Sequence, residues 1–529
     1  MSLRSTVYFA GWGGDSLGWE QVPGIQVALA ANHNPVCVDV HALNFPAAEH
    51  LPPGDVEDID LASLPYSELF WASPACPAWT DAKGKKRHFD RSNQYTLIAD
   101  EQLGVVLEDP AESRSRALIE QIPRYLAAMA GRGTPVLGGV MENVIQCRRW
   151  DQWGRWLREI EAIGPGYETR VIALNSMHAL PRHCLPAPQS RDRLYVMYWL
   201  KTLGRRPDFD KWLRPRAWCS TCEQVVDAVQ SWKQPGADMG RYGRSGQYLY
   251  RCPSKSCRHA VVEPFTTPAA AAIDWTLPAG ERIGERARPL AAATLERIRI
   301  GLSRFAGEPM LAPAGGTWRT DATAVSAPMP TRTTRETDGL VIPDGLVVQT
   351  AKRSTQPARD TGLPMPTQTS RRELGLAIPP FITSLRGGGS KKTAHRVTEP
   401  LATFSARGFH HGLVQPPGSE DAREQLLVPY HRTGHARPVG EPMGTLTTRD
   451  RHGLLGVDPA RLVEACTFRM LEPDEIRAGM AFPATFRPLG DKRTQAAGYG
   501  NAVTPPAAEV LGCALVEAIT GETIERTLS

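Results

Sequence analysis

Short apolar runs alternate with amphipathic stretches along residues 1 to about 200. Three such runs are 27–30, 135–137 and 194–197. Strands that alternate with helices in this way favour a mainly parallel sheet with helices on its faces. We therefore predict an α/β domain over residues 1–205.

The pattern changes after residue 214, where close pairs of cysteines appear. Their spacing is Cys-x2-Cys, a long insert, and then Cys-x4-Cys. Two such turns can supply four thiolates to a tetrahedral zinc ion and so stabilise a module with a small core. We predict a zinc-ribbon module over 212–262, with structural zinc bound by Cys219, Cys222, Cys252 and Cys257. The alternative is that these are unrelated buried or free cysteines.

Three further segments follow this module. Apolar residues at helical spacing within 281–306 predict an amphipathic connecting helix. Residues 307–457 contain four related units that begin at prolines, and we expect them to form short strands joined by basic loops. These units begin at Pro328, Pro364, Pro400 and Pro442. Such an array could contact nucleic acid, although a repeat kept only for its fold is the alternative.

Composition narrows the class of protein only slightly. With 61 basic and 56 acidic residues the formal charge is +5, which does not identify a nucleic-acid binder by itself. We find no apolar run near the roughly 20 residues that a membrane span needs, and the amino terminus lacks the stages of a signal peptide. We expect a cytoplasmic protein without a membrane partner, in a bacterial or phage-infected cell.

Five short motifs carry the candidate chemistry. A glycine turn at 9–14 follows a predicted strand, where glycine lets the backbone approach a cofactor closely. A cysteine at position 76 stands among prolines at the end of another predicted strand. An activated thiolate could be presented to a substrate from such a position. Acidic and basic side chains occur at 141–144 and 188–193, and the last motif, 499–506, precedes an apolar helix. This late motif predicts that residues 459–529 return to the catalytic domain.

In this order and at these separations, the motifs resemble those of the DNA cytosine-5 methyltransferase family. The resemblance covers residues 1 to about 200 and about 459 to 529, with FxGxGG, the cysteine segment, ENV, Gln-x-Arg-x-Arg and GNAV as its signatures. It implies a Rossmann-like class I methyltransferase domain, with the β-rich repeat region and the zinc ribbon in the place of the target-recognition domain. It also implies S-adenosylmethionine as cofactor.

The resemblance assigns the cofactor site to residues at several strand ends. Asn32 stands where the family usually has an acidic residue for the ribose, and the amide lacks the charge that strengthens such a contact. The expected cofactor-binding residues are Phe9, Gly11, Gly13, Gly14, Asn32, Asp55, Asn501 and Val503.

The resemblance also assigns catalytic roles. Cys76 would add to carbon 6 of cytosine, and Glu142 would hydrogen-bond at ring N3 as a neutral acid, which requires a raised pKa. Arg191 and Arg193 would hold the base carbonyl and flanking groups. Pro77 replaces the usual glutamine after the nucleophile and removes a backbone donor.

The implied substrate is a cytosine flipped out of double-stranded DNA. The basic, glycine-hinged segment after Cys76 would close over it, with a solvated surface loop as the alternative. The expected substrate-binding residues are Gln189, Thr80, Lys83, Lys85, Lys86 and Arg87. We expect a monomer, which could act beside a partner restriction endonuclease. Two alternatives stay open: an enzyme that methylates RNA, and a catalytically impaired homologue that binds DNA.

Overall fold

The chain folds as two compact units in a computed structural model. The first unit comprises Met1–Thr266 and Met480–Ser529, and the second comprises Thr267–Gly479. The structure describes residues 2–74, 110–290 except 275 and 279, and 463–526 except 465. Between 291 and 462 it describes scattered residues and the backbone of short strands.

The helices and the first eight strands have the following bounds. The strands are β1 Leu3–Tyr8, β2 Ile25–Ala31, β3 Glu49–His50, β4 Leu69–Ala72, β5 Gly138–Asn143, β6 Tyr167–Asn175, β7 Gln189–Ser190 and β8 Asp192–Leu200. The helices are α1 Gly14–Trp19, α2 Pro35–Asn44, α3 Pro110–Gly131, α4 Trp153–Ala162, α5 Phe209–Leu213, α6 Pro473–Gly479, α7 Lys492–Asn501 and α8 Pro505–Thr520. All but α6 lie in the first unit.

Seven of these strands form one mixed sheet in the order β3-β2-β1-β4-β5-β8-β6. Strand β8 runs antiparallel to both of its neighbours, and the other pairings within the sheet are parallel. A mixed sheet of this order is consistent with the Rossmann-like class I methyltransferase domain predicted from the sequence. It brings the carboxyl ends of β1, β2, β4 and β5 to one edge, where β8 begins.

Two apolar layers cover the faces of this sheet. Leu69 and Trp71 of β4 belong to the layer that contains α8, while Phe70 and Ala72 belong to the layer that contains α3 and α4. All nine residues of β8 are buried, as expected for a strand covered on both faces. The alternation along β4 therefore places its successive side chains in two different cores.

The return of the chain is a core element of the first unit. Of the 16 residues of α8, 14 are buried. The stretch Lys492–Thr520 is long and apolar enough to cross a membrane by length and composition, but 94% of its apolar window is buried within the protein. Its hydrophobicity is accounted for by packing in the core. Residues 467–479, which the sequence assigned to the same returning segment, lie in the second unit.

The cysteine-rich segment also belongs to the first unit. Its strands are β9 Arg216–Cys219, β10 Gln224–Asp227, β11 Val229–Trp232, β12 Tyr248–Arg251 and β13 Val261–Val262. Strands β9 and β10 form one antiparallel pair, and β11, β12 and β13 form a three-stranded antiparallel sheet.

The second unit is described mainly through short strands. The predicted connecting helix is wrong at its first residues, since β14, Glu281–Arg282, pairs with the distant strand Thr467–Met470. A partner almost 200 residues away leaves no local signal. The repeat units have the backbone of strands such as Asp338–Ile342, Leu374–Ala377, Leu401–Ala402 and His452–Leu454. Their side chains and most of the loops between them lie outside the described residues, so the basic array stays a prediction.

Candidate active site

Glu142 and Arg193 form an ion pair at the edge where the strands converge. Glu142 is the penultimate residue of β5, before Asn143, and the antiparallel register places it opposite Tyr195 of β8. Arg193 Nε lies 3.1 Å from Glu142 Oε1, with both side chains 11% exposed. Burial raises the pKa of Glu142, and the positive charges of Arg193 and Arg191 oppose this rise. The site thus holds a carboxyl group that releases its proton less readily than an ordinary glutamic acid.

Asn143 connects this pair to the segment that leads to Cys76. Its Nδ2 donates to the carbonyl of Pro74 over 3.2 Å, and its Oδ1 accepts from the N–H of Val144. Ser73 is tied to β1 by a hydrogen bond from its N–H to the Tyr8 carbonyl. The last described residues before Cys76 are therefore fixed to β1 and β5.

Arg191 contacts the carboxyl-terminal motif. Its Nη2 donates to the Ala502 carbonyl over 2.8 Å, and both Nη atoms donate to the Gly500 carbonyl. The side chain is 2% exposed. A guanidinium in this position links β8 to the turn between α7 and α8, which is a positioning contact and differs from the expected hold on a base carbonyl.

Gln189 lies deeper than expected for a substrate-binding residue. It is fully buried, and its Nε2 contacts Met480 Sδ at 3.3 Å. Asn501 of the same region is exposed, whereas Val503 is buried. The carboxyl-terminal motif therefore presents one polar side chain outward and packs an apolar one inward.

The glycine turn between β1 and α1 is closely packed on one side. Gly13 adopts a left-handed conformation, with φ of 75°, which disfavours residues with a Cβ. A Cβ at Gly14 would lie 1.9 Å from the carbonyl oxygen of Val503, whereas one at Gly11 would meet only the Phe9 carbonyl at 3.8 Å. The backbone near Gly11 is thus open enough for a ligand to approach.

Asp15 follows this turn and was not identified from the sequence. It is 2% exposed, and its Oδ2 has no hydrogen-bond partner within the described part of the chain. Burial raises its pKa to about 7, partly opposed by the N–H of Ser16, which donates to Oδ1. The only sequence signal was an acidic residue directly after the two glycines. An orphaned carboxyl oxygen in the helix that follows the glycine turn fits a ligand that carries positive charge, as S-adenosylmethionine does.

Two more expected cofactor residues lie beyond β2. Asn32 is 9% exposed, and its Oδ1 accepts from the N–H of Asn34 over 2.9 Å. Asp55 caps the short 3₁₀ helix Val56–Asp58, where its Oδ1 accepts from the N–H of Glu57. The carbonyl of Asn32 accepts from the N–H of Gly54, so the two segments meet at the same sheet edge.

The nucleophile itself and the basic segment after it lie outside the described residues. This holds for Cys76, Pro77, Thr80, Lys83, Lys85, Lys86 and Arg87. Their assigned roles stay predictions.

The four cysteines of the predicted zinc module lie together. Their Sγ atoms are all within 4.8 Å of one another, with 3.9 Å between those of Cys222 and Cys252. Four sulfurs at about 2.3 Å from a tetrahedral zinc would be about 3.8 Å apart. Glu223, directly after Cys222, and Arg258, directly after Cys257, both have positive φ. The chain thus turns sharply after each cysteine pair and brings a donor set suited to zinc to one point.

Comparison with known proteins supports the family resemblance. Residues 5–102 match the family model of the C-5 cytosine-specific DNA methylases. No curated protein matches the chain.

Solved structures of methyltransferases align along nearly the whole chain at low similarity. A DNMT2 mutant from Spodoptera frugiperda is 12% identical, with a TM-score of 0.43, 98% of this chain covered and 100% of that one. Methyltransferase EhMeth from Entamoeba histolytica is 10% identical, with a TM-score of 0.41 and 98% of each chain covered. Dnmt2 from S. pombe is 11% identical, with a TM-score of 0.42, 98% of this chain covered and 99% of that one.

The matched segment, 5–102, spans the glycine turn, Asn32 and Asp55 and the cysteine segment. The resemblance predicted from the motifs is therefore confirmed over these residues, which match the model of the C-5 cytosine-specific DNA methylase family.

Proposed function

We propose that this protein transfers a methyl group from S-adenosylmethionine to carbon 5 of a cytosine in double-stranded DNA, with Cys76 as the covalent nucleophile. The observation that carries the proposal is the buried Glu142–Arg193 pair, at the sheet edge to which Asn143 ties the cysteine segment. The family model that matches residues 5–102 supports the cytosine-5 chemistry.

The chemistry begins with the low reactivity of carbon 5. The Cys76 thiolate forms a bond to carbon 6, and the electron pair of the carbon 5–carbon 6 double bond becomes available at carbon 5. The proton of Glu142 compensates for the charge that develops at ring N3, which requires the raised pKa that burial gives this carboxyl group. Arg193 holds the carboxyl group in place through its Nε contact.

The bound cofactor supplies an electrophilic methyl group to carbon 5. The backbone around Gly11, the Asp15 carboxyl group and Asn32 would hold it, while Arg191 fixes the turn that packs on Gly14. Loss of the carbon 5 proton to a base then returns an electron pair to the ring, and the bond to Cys76 breaks. Because these atoms are inaccessible in a stacked duplex, the cytosine must be flipped out.

A mechanism-based trap tests this proposal. Duplex DNA containing 5-fluorocytosine should form a stable adduct with the protein in the presence of S-adenosylmethionine, because fluorine cannot leave as a proton does. The matched control is Cys76→Ala, with Cys37→Ala as a cysteine variant outside the site. If the wild type forms no more adduct than Cys76→Ala across diverse DNA, the mechanism is wrong.

The nucleic-acid class is tested separately. Methyl incorporation into duplex DNA and into tRNA should be compared at equal cytosine concentration. We expect incorporation into DNA, because the large segment between the two parts of the catalytic unit, 267–479, suits recognition of a duplex. Incorporation into tRNA alone would assign the enzyme to RNA.

We also propose that Cys219, Cys222, Cys252 and Cys257 bind one structural zinc ion. The mutual distances of their Sγ atoms support this assignment. Metal analysis of the purified protein should find one zinc per chain, and Cys222→Ser should lose it while Cys37→Ser retains it. A zinc-free wild-type protein that unfolds at the same temperature with and without added zinc would contradict the proposal.

A further inference from the structure

A cavity of about 480 Å³ separates the cysteine-rich segment from the end of the ENV motif. One wall is the 3₁₀ helix Ile145–Arg149, and the other is the loop 237–247 between β11 and β12. Both walls belong to the first unit. We call this space the basic cavity.

The lining of the basic cavity is rich in arginine. Its charged side chains are Arg148, Arg149, Arg241 and Asp238, which gives a net charge of +2. Arg149 is exposed, and Arg241 is half-buried. Glutamine and serine side chains complete much of the polar lining, so the cavity favours an anion over an apolar ligand.

One arginine of the cavity is held in advance of any ligand. Arg148 makes a forked contact with Asp238, with three N–O distances of 2.9–3.1 Å. Its guanidinium also lies over the ring of Trp153, 5.5 Å from the centroid. Because the fork and the ring fix this side chain, little conformational entropy remains to be lost when an anion binds nearby.

Both walls of the basic cavity are connected to the Glu142–Arg193 pair, one along the chain and the other through a hydrogen bond. Gln146, in its wall, follows Glu142 by four residues, so their Cα atoms are at most about 14 Å apart. On the other wall, the N–H of Tyr242 donates to Asp192 Oδ1 over 3.1 Å, next to Arg193. A span of this size corresponds to about four base-pair steps along DNA.

The chemical group that fits the lining of the basic cavity is a phosphodiester. Guanidinium forks match phosphate geometry, and phosphate contacts position a protein on a duplex without reading its sequence. We propose that the basic cavity binds a backbone phosphate of the DNA strand near the target cytosine, so that the cysteine-rich segment forms part of the substrate interface. This inference rests on the proposed function and adds a subsite to it.

Binding measurements with variants test the inference without turnover. The variants are Arg149→Ala, Arg241→Ala and the double substitution, with Arg155→Ala on α4 as the control. Arg155 is an exposed arginine paired with Glu159 and lies outside the cavity lining. Affinity for a random-sequence duplex should be measured by fluorescence anisotropy with S-adenosylhomocysteine, between about 50 and 200 mM salt.

We expect the double variant to bind about tenfold or more weakly, with a salt slope reduced by about 1 for each phosphate that is no longer neutralised. In methyl transfer, KM for DNA should rise while kcat stays near the wild-type value. Arg155→Ala should change none of these quantities.

Failure of this inference can be told from failure of the proposed function. An unchanged salt slope in the double variant would overturn the inference, even where the 5-fluorocytosine adduct forms normally. Weaker binding of tRNA but not of duplex DNA would also overturn it. If inorganic phosphate binds only to proteins with Arg149, while the double variant binds duplex DNA as tightly as wild type, the cavity is a site for free phosphate instead. Absence of the adduct in wild type concerns the proposed function alone, because the slope is still measurable.

Discussion

At the scale of single residues, Glu142 combines two requirements of the proposed chemistry. Its burial raises the pKa, so the proton stays on the carboxyl group to a higher pH than in an exposed glutamic acid. Arg193, 3.1 Å away, keeps the carboxyl group oriented. Its positive charge offsets only part of the rise in pKa that burial causes. A carboxyl group with a raised pKa is therefore held at a defined position.

Glu142→Gln should lower the rate of methyl transfer by about 100-fold or more, the range associated with loss of a general acid. In wild type, the single-turnover rate should fall as the pH rises through the raised pKa of Glu142, because the neutral form is required. Quenched-flow measurement of methyl transfer against pH checks both statements. Glu159→Gln, at an exposed position of α4, is the control, and an equal loss there would contradict the assignment.

Asp15 makes the stability of the protein depend on pH. Burial raises its folded-state pKa from 3.8 to about 7, so between these values the folded protein holds a proton that the unfolded chain has released. The contribution to stability is complete below pH 4 and is lost as the pH rises through 7. Asp15→Asn cannot ionise and should reduce the loss of unfolding free energy between pH 4 and 8, by up to about 4 kcal/mol.

Denaturant unfolding of the two proteins at several pH values measures this difference. Asp58→Asn, at an exposed position of the 3₁₀ helix after β3, serves as the control. Parallel stability curves for wild type and Asp15→Asn would show that Asp15 is ionised in the folded protein.

At the scale of elements, Arg191 fastens the turn between α7 and α8 to the start of β8. Its guanidinium meets the Gly500 and Ala502 carbonyls, each a charge-assisted hydrogen bond of about 1.5–3 kcal/mol. Arg191→Ala should therefore lower the unfolding free energy by about 3 kcal/mol or more. Arg158→Ala, on the exposed face of α4, should change it little. If Arg191→Ala loses activity at full stability, Arg191 acts on the substrate instead.

Elements with strong local patterns could be predicted from the sequence, and elements defined by distant pairing could not. The α/β alternation and the late apolar helix α8 follow from periodicity. The strand at 281–282 depends on its pairing with 467–468, which leaves no local signal, so the predicted helical segment began too early. In the site, Glu142 and Arg193 were identified through their motifs, whereas Asp15 belongs to no motif and was recognised only from its burial and its orphaned oxygen.

At the scale of the whole molecule, the first unit is built from two stretches separated by the second unit. Residues 480–529 supply α8, which belongs to the apolar layer on one side of the central sheet. Buried apolar area contributes about 25 cal/mol per Å², so the unit loses a large part of its stabilisation without this segment.

A chain that stops at residue 479 should therefore fail to form the folded first unit. We expect it to be insoluble or rapidly cleaved in limited proteolysis, with no adduct to 5-fluorocytosine DNA. A chain shortened only by 527–529 should match wild type in the same assays. Recovery of the first unit on addition of a separate 480–529 peptide would show that the segment acts by packing.

The place of α8 in the core also imposes an order on synthesis. The strands that flank the glycine turn leave the ribosome first, but the part of their sheet that packs on α8 stays uncovered until α8 is translated. At about 5–20 residues per second, the intervening second unit delays that moment by roughly ten seconds or more. During this interval the nascent chain exposes apolar surface, and its glycine turn lacks the packing of Val503 on Gly14. A prematurely terminated product should thus be recognised by chaperones and proteases before it could bind DNA as an inactive competitor.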